Sequence, residues 1–240
     1  IILLPFWNFK LPKKNLVRPL IFFSISMGVL VYVFMNLSLY HSSIIAPIIL
    51  GSQLAIPFGI LASAFILDEN ISRNKWLLIF TSFLGILIIF FDPKLTENYL
   101  GLFFASLMAL FFGLAQVYSR QLKELPISLI NASTGLFGFF ILMIISFFIE
   151  GDVYANIQKI NLNSWVLISY QAVIVSLCAH LLMFYLYKFY TVGRIFPFYS
   201  LFPIFGIILT YLIFGEVPTL LFILGGIIVI TSVFFLHKIK

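Results

Sequence analysis

Eight times this chain writes an apolar run of near-bilayer length, and Arg18 is the single charge inside any of them. The runs are Val17–Tyr40, Ile44–Leu67, Trp76–Phe91, Tyr99–Tyr118, Pro126–Ile149, Trp165–Tyr187, Ile195–Phe214 and Leu220–Leu236. A helix needs about 20 apolar residues to cross a hydrocarbon core, and helices are the way a chain of this kind satisfies its backbone away from water. Only 9% of the residues are charged, against roughly 25% in a soluble domain, and the mean hydropathy is +1.16. The fold class that follows is an all-α integral membrane protein with eight full transmembrane helices. The chain opens on Ile1–Trp7, an apolar scrap too short to span, followed by Lys10, Lys13 and Lys14. This opening reads as a stub, the tail of a helix whose start precedes this sequence.

The cations set an orientation. Lys10, Lys13, Lys14 and Arg18, then Arg73 and Lys75, Arg120 and Lys123, Lys188 and Arg194, and Lys238 and Lys240 all fall on one face. The other face holds only Lys94 and Lys159. Such a bias, alternating loop by loop, marks the cation-rich face as cytoplasmic and predicts a cytoplasmic C-terminus in a multi-pass plasma (bacterial inner) membrane protein. The net charge of +6 is therefore a topology signal that attracts the lipid bilayer, not a nucleic-acid footprint. The lone Cys178 excludes a disulfide framework and a cysteine metal site.

The chain also repeats itself. A slide of 147 residues lays Glu69 on Glu216 and Gly59 on Gly206, with Pro57 one residue out of step with Pro203. Each copy reads as a Pro-bearing run, an acidic turn and a Gly-bearing run: Asp68-Glu69 then Gly85, and Gly215-Glu216 then Gly226. Loop counting puts Glu69 on the cytoplasmic face and Glu216 on the external one, so the copies would be inverted in the membrane. Inverted repeats are the mark of a duplicated transporter, since two similar halves can exchange conformations. The acidic residues themselves are expected to cap the turns and the helices that follow.

No carboxylate pair, metal cluster or nucleophile–base set falls inside the runs, so an enzyme reading has little to stand on and no redox or metal cofactor is implied. What the runs do contain is neutral and polar. Tyr32, Asn36 and Tyr40 follow i, i+4, i+8 and share a helix face. Gln53 lies in the second run, Gln116 in the fourth, Cys178 and His180 in the sixth, and Tyr199, Thr210 and Tyr211 in the seventh. Amides and hydroxyls avoid lipid and turn toward other helices or a wet cavity. The candidate substrate-binding residues are Asn36, Gln53, Gln116, His180 and Tyr199, suited to a small polar or zwitterionic metabolite. Each has a plainer alternative: interhelical hydrogen bonds for the amides, a packed and satisfied side chain for His180 rather than a proton relay, and interface anchoring for tyrosines near run ends.

Pro57, Asp68-Glu69 and Gly85, answered by Pro203, Gly215-Glu216 and Gly226, resemble the two repeats of EamA-type transporters of the drug/metabolite transporter superfamily. Gly193–Pro197 with Leu201–Gly206, and Gln53, look like the exporters of O-acetylserine and cysteine. The resemblance implies an inverted-repeat bundle of ten helices, five per repeat, with Val17–Tyr40 as the third and Leu220–Leu236 as the tenth. This chain would then hold a truncated N-terminal repeat at 1–95 and a C-terminal repeat at 96–240. The implied function is efflux of an amino acid or derivative by alternating access. Uptake by a carrier of the same superfamily, a non-transporting scaffold and a lipid-modifying enzyme are the alternatives. The orientation is tested directly by labelling single cysteines in intact cells. A cysteine beside Lys159 is expected to react with an impermeant maleimide and one beside Lys123 to stay protected; the reverse pattern would overturn the topology.

Overall fold

The computed structural model describes residues 12–179, 182 and 201–238, and among them every regular element is helical. They form two compact units, a larger one built from the residues up to Leu142 and those after Ser200, and a smaller one from Met143 to Tyr199. Five helices are long and apolar enough to cross a membrane: Lys14–Tyr40, Ala46–Ile66, Arg73–Phe90, Tyr99–Gln121 and Ile127–Ile149. The last three expected runs appear as the shorter apolar helices Leu162–Val175, Phe202–Phe214 and Leu220–Leu236. Much of the Trp165–Tyr187 run and the start of the Ile195–Phe214 run lie outside the described residues.

In the larger unit the first span is α1 (Lys14–Ile25), a π turn (Ser26–Leu30) and α2 (Val31–Tyr40), where the sequence predicts one unbroken helix. A π turn inserts an extra residue into the helical ladder. Here it carries Gly28 against α7 (Ile127–Glu150), where a Cβ on Gly28 would stand 2.6 Å from the Thr134 carbonyl oxygen. The second span is likewise broken, into α3 (Ala46–Ser52) and α4 (Ala55–Ile66). Pro57 is the cause. Its ring excludes the carbonyl four residues back and it has no N–H to offer, so the Gln53 carbonyl accepts instead from Ile56 N at 3.2 Å. Gln53 and Leu54 likewise donate three residues back, to Leu50 and Gly51.

The strut of this unit is α6 (Tyr99–Gln121), on which α1, α2, α3 and α4 all pack. Small residues set the approach. A Cβ on Gly113 would lie 2.7 Å from both the Ala55 carbonyl and the Gly59 amide nitrogen, so the α4 and α6 backbones nearly touch. Along the opposite side of α6 runs a ladder of rings: Phe22 on Tyr118 at 5.2 Å, Phe34 on Phe111 at 5.4 Å, and His41 on Phe104 at 5.5 Å. Stacked rings at these separations contribute beyond their area.

A second seam joins α5 (Arg73–Phe90) to α11 (Leu220–Lys238). Gly85 and Gly225 let the two backbones meet, and the hydroxyls of Thr81 and Ser232 bond across it at 2.8 Å. Leu50, Leu54, Ile86, Ile89, Val229 and Val233 form the buried core between these helices and α3. α10 (Phe202–Phe214) packs on α3, with Gly206 against Ile49.

The two acidic turns share a geometry. Asp68 and Gly215 both adopt left-handed φ, 52° and 68°. Glu69 N donates to the Ser63 carbonyl at 3.4 Å, and Glu216 N to the Thr210 carbonyl at 3.5 Å. Ser63 and Thr210 each turn their hydroxyls back to the carbonyl three residues earlier, Ile60 and Ile207. Every one of these pairs is 147 residues apart.

The smaller unit contains the end of α7, α8 (Val153–Gln158), α9 (Leu162–Tyr170) and a π turn (Gln171–Ala179). Its helices start at capping side chains that accept from amides three residues on, Asp152 from Ala155 N and Asn161 from Ser164 N.

The packing makes an opposed pair of predictions. Gly113→Ala must displace backbone and is expected to cost about 1–3 kcal/mol. Gly135→Ala, which would meet nothing within 4 Å, is expected to be neutral or to stabilise by up to about 1 kcal/mol through helix propensity. Thermal unfolding of the two variants in detergent distinguishes them.

Candidate functional site

The break before Pro57 gives Gln53 an unusual position. It lies at the corner where α3 passes into α4, inside a span, and only 6% of it is exposed. Among the described residues no hydrogen bond holds its side-chain amide. The hydroxyls around it are satisfied locally: Ser52 donates to the Ile49 carbonyl and Ser106 to the Leu102 carbonyl. A glutamine amide has two donors and an acceptor and a stem too long for that local solution.

The other candidate residues are dispersed around α6. Asn36 is exposed on α2, with its amide nitrogen donating to the Tyr32 carbonyl one turn back at 2.8 Å. Tyr32, Asn36 and Tyr40 do share a face, and Tyr40 is largely exposed on it. Gln116 is half-buried on α6, one turn beyond Gly113, and its carbonyl accepts from the Ser119 hydroxyl. Since α2 and the α3–α4 span both pack on α6, these three amides decorate one three-helix assembly without touching one another. His180 and Tyr199 lie outside the described residues.

Sequence reading missed a second polar group and a network. Ser24 Oγ, at the end of α1, is fully buried and without a partner; one serine in an apolar run carries no signal of that kind. The network gathers at the ends of α2, α5 and α10. Glu216 was expected to cap its own turn and the helix after it. Instead its two carboxylate oxygens accept from Ile45 N at 2.8 Å and Ala46 N at 3.0 Å, at the start of α3, 170 residues away in the chain. The cap of the following helix is Thr219, whose hydroxyl accepts from Phe222 N at 3.1 Å and donates to Asp92. Asp92 is 2% exposed and also accepts from Lys94 N. Asn98 Oδ1 accepts from Ser42 Oγ, Ser43 N and Ser43 Oγ. A Thr before an apolar run was a readable cap signal; the partners it gathers were not.

Glu69 departs from expectation too. Ser72, not Glu69, caps α5, accepting from Lys75 N. Glu69 binds Arg120 Nη1 through both oxygens at 3.0 and 3.2 Å, an ion pair about half exposed on each side.

The described helices are thus glycine-packed and polar at their ends, with a few side-chain amides such as Gln53 and Gln116 inside the spans. Residues 99–237, from the start of α6 nearly to the end of α11, match the EamA-like transporter family. The chain belongs to that family. It is accordingly a multi-pass membrane protein of the drug/metabolite transporter superfamily, whose EamA members are transporters rather than enzymes. No curated protein matches the chain. Within this EamA-like chain the match takes in Glu216, Thr219 and Gln116, while Asn36 and Gln53 precede it.

The double role of Thr219 sets an expectation for stability. Thr219→Val removes a helix cap and strands a buried carboxylate, and should cost about 1–3 kcal/mol. Thr231→Val, where the hydroxyl bonds only to carbonyls of its own helix on an exposed face, should stay within about 0.5 kcal/mol. Denaturation of the purified protein in detergent compares them.

Proposed function

We propose that this EamA-like protein moves a small polar or zwitterionic metabolite, an amino acid or derivative, outward across the bacterial inner membrane by alternating access. The two halves would be inverted repeats at 1–95 and 96–240, with the C-terminus cytoplasmic. The reading of inversion is supported by chain direction. The C-terminal end of α10 lies at the N-terminal end of α3, and Asp92, two residues after α5, bonds Thr219, the residue before α11. The matched turns at 63–69 and 210–216 support the repeat itself.

The observation that carries the proposal is Gln53. Broken spans are where carriers of inverted-repeat design hold their cargo, because unwound backbone and unpaired polar groups are tolerated only where they face a ligand or a wet cavity. Gln53 offers a neutral donor–acceptor pair at such a break, and Asn36 and Gln116 add further amides on the neighbouring helices. Neutral amides can hold both ends of a zwitterion without burying a net charge.

The test is flux into proteoliposomes containing the full-length protein, with a panel of labelled amino acids that includes cysteine and O-acetylserine. Gln53→Ala should lower the flux of the carried compound about tenfold, the loss of one to two hydrogen bonds. Asn36→Ala should lower it less, since its amide is already committed to Tyr32. Unchanged flux in both variants would remove these residues from the site. A panel with no carried compound would remove the amino-acid reading.

A further inference from the structure

One turn occurs twice in this protein and holds two different partners. At 63–69 and 210–216 the φ angles, the six-residue backbone bond and the back-bonded hydroxyl agree. The acidic side chains that follow do not. Glu69 goes to Arg120 in a half-exposed ion pair, and the other long-range tie at that end, Lys13 with Glu124, is more exposed still. Contacts of that kind are weak and easily exchanged. Glu216 reaches across to α3 and satisfies the N–H groups of Ile45 and Ala46 with a charge-assisted pair of bonds. Around it the part-buried bonds of Asp92 with Thr219 and of Asn98 with Ser42 and Ser43 bind the same end.

The packing beneath these two ends tells the same story. α5 and α11 meet backbone to backbone through Gly85 and Gly225 and cannot slide apart without exposing their hydroxyl pair. The seam between α3 and α10 is different. Gly206 touches Ile49 in its middle, and toward Glu216 it opens into a crevice lined by Ile44, Ala46, Ile207, Pro218 and Phe222. The Glu216 carboxylate lies in the lining of that crevice and bonds across it to the start of α3.

We infer that Glu216 is a latch that holds the α3–α10 seam shut at its own end, and that this end opens when the carboxylate leaves the Ile45 and Ala46 amides. The inference rests on the carrier reading for its purpose, but not for its test. The α5–α11 seam is the fixed hinge, and Asp92 with Thr219 keeps the corner after α10 in register while the latch is made.

The experiment measures how fast an impermeant maleimide reaches a cysteine in the crevice. Ile207→Cys is placed in the full-length protein with Cys178→Ser, in sealed vesicles oriented with the Glu216 end outward. The parent should label slowly. Glu216→Ala should label about tenfold faster, the equivalent of one lost charge-assisted hydrogen bond. Glu216→Gln, an isostere that keeps one acceptor, should fall between and serves where the alanine variant does not fold. Glu69→Ala should change the rate by less than about twofold, as expected for an exposed pair. Unchanged labelling in a folded Glu216→Gln or Glu216→Ala protein overturns the latch. Labelling that responds while no labelled amino acid is transported upholds the latch and sinks the amino-acid reading instead.

Discussion

The hydrocarbon core contains no water, so every polar group placed there must find its partner within the chain. This protein meets that demand mostly by the shortest route. Ser52, Ser63, Ser82, Ser106, Thr134 and Thr210 each donate to a carbonyl three or four residues back in their own helix. A hydroxyl treated this way ceases to be polar toward its neighbours, and the helix remains free to pack by shape. That is why α6 can take glycine and alanine against α3 and α4 with no hydrogen bond between them, and why buried residues such as Ala105 and Ala109 suffice at the contact. Association of membrane helices draws on such close packing, since lipid tails are as apolar as the side chains they would replace.

Against that background the exceptions carry the meaning. Gln53 has a stem too long to fold back on its own helix, and it sits where Pro57 breaks the span, its carbonyl accepting from Ile56 N. Asp92 is a carboxylate buried almost completely, and it is tolerated because a hydroxyl and a backbone amide are turned toward it. The first exception leaves a free group inside a span. The second fixes a corner at a span's end. The proposed carrier would use both, one place to receive cargo and another to keep a corner fixed.

The helices were legible because their signal is local. Charge-free runs bounded by Lys, Asp and Pro place the ends of α5, α6, α7 and α11 within a few residues of where they lie. The recurring acidic turn was legible as well, since Asp68 and Gly215 both take a left-handed φ where the chain reverses. The interruptions were not. A π turn at Ser26–Leu30 depends on Gly28 meeting Thr134, more than a hundred residues on. The destination of Glu216 is equally non-local: an acid in a turn after one helix and before another looks like a cap for its own neighbourhood, and nothing in the sequence says that Thr219 has taken that duty. Gln53 was picked out by type alone; its availability follows from the Pro57 break, which sets the carbonyl partners around it.

The unequal ends have an energetic consequence. Hydrogen bonds to a charged group contribute about 1.5–3 kcal/mol each, whereas exposed ion pairs contribute about 0.2–1 kcal/mol. Under the proposed latch, the arrangement closed at Glu216 would be favoured over its opposite by the difference between these bonds. A ligand shifts such a balance only by binding the two arrangements unequally, and each tenfold preference supplies about 1.4 kcal/mol. In the proposed carrier, a cargo held at Gln53 would supply that much through two or three hydrogen bonds made in one arrangement and lost in the other.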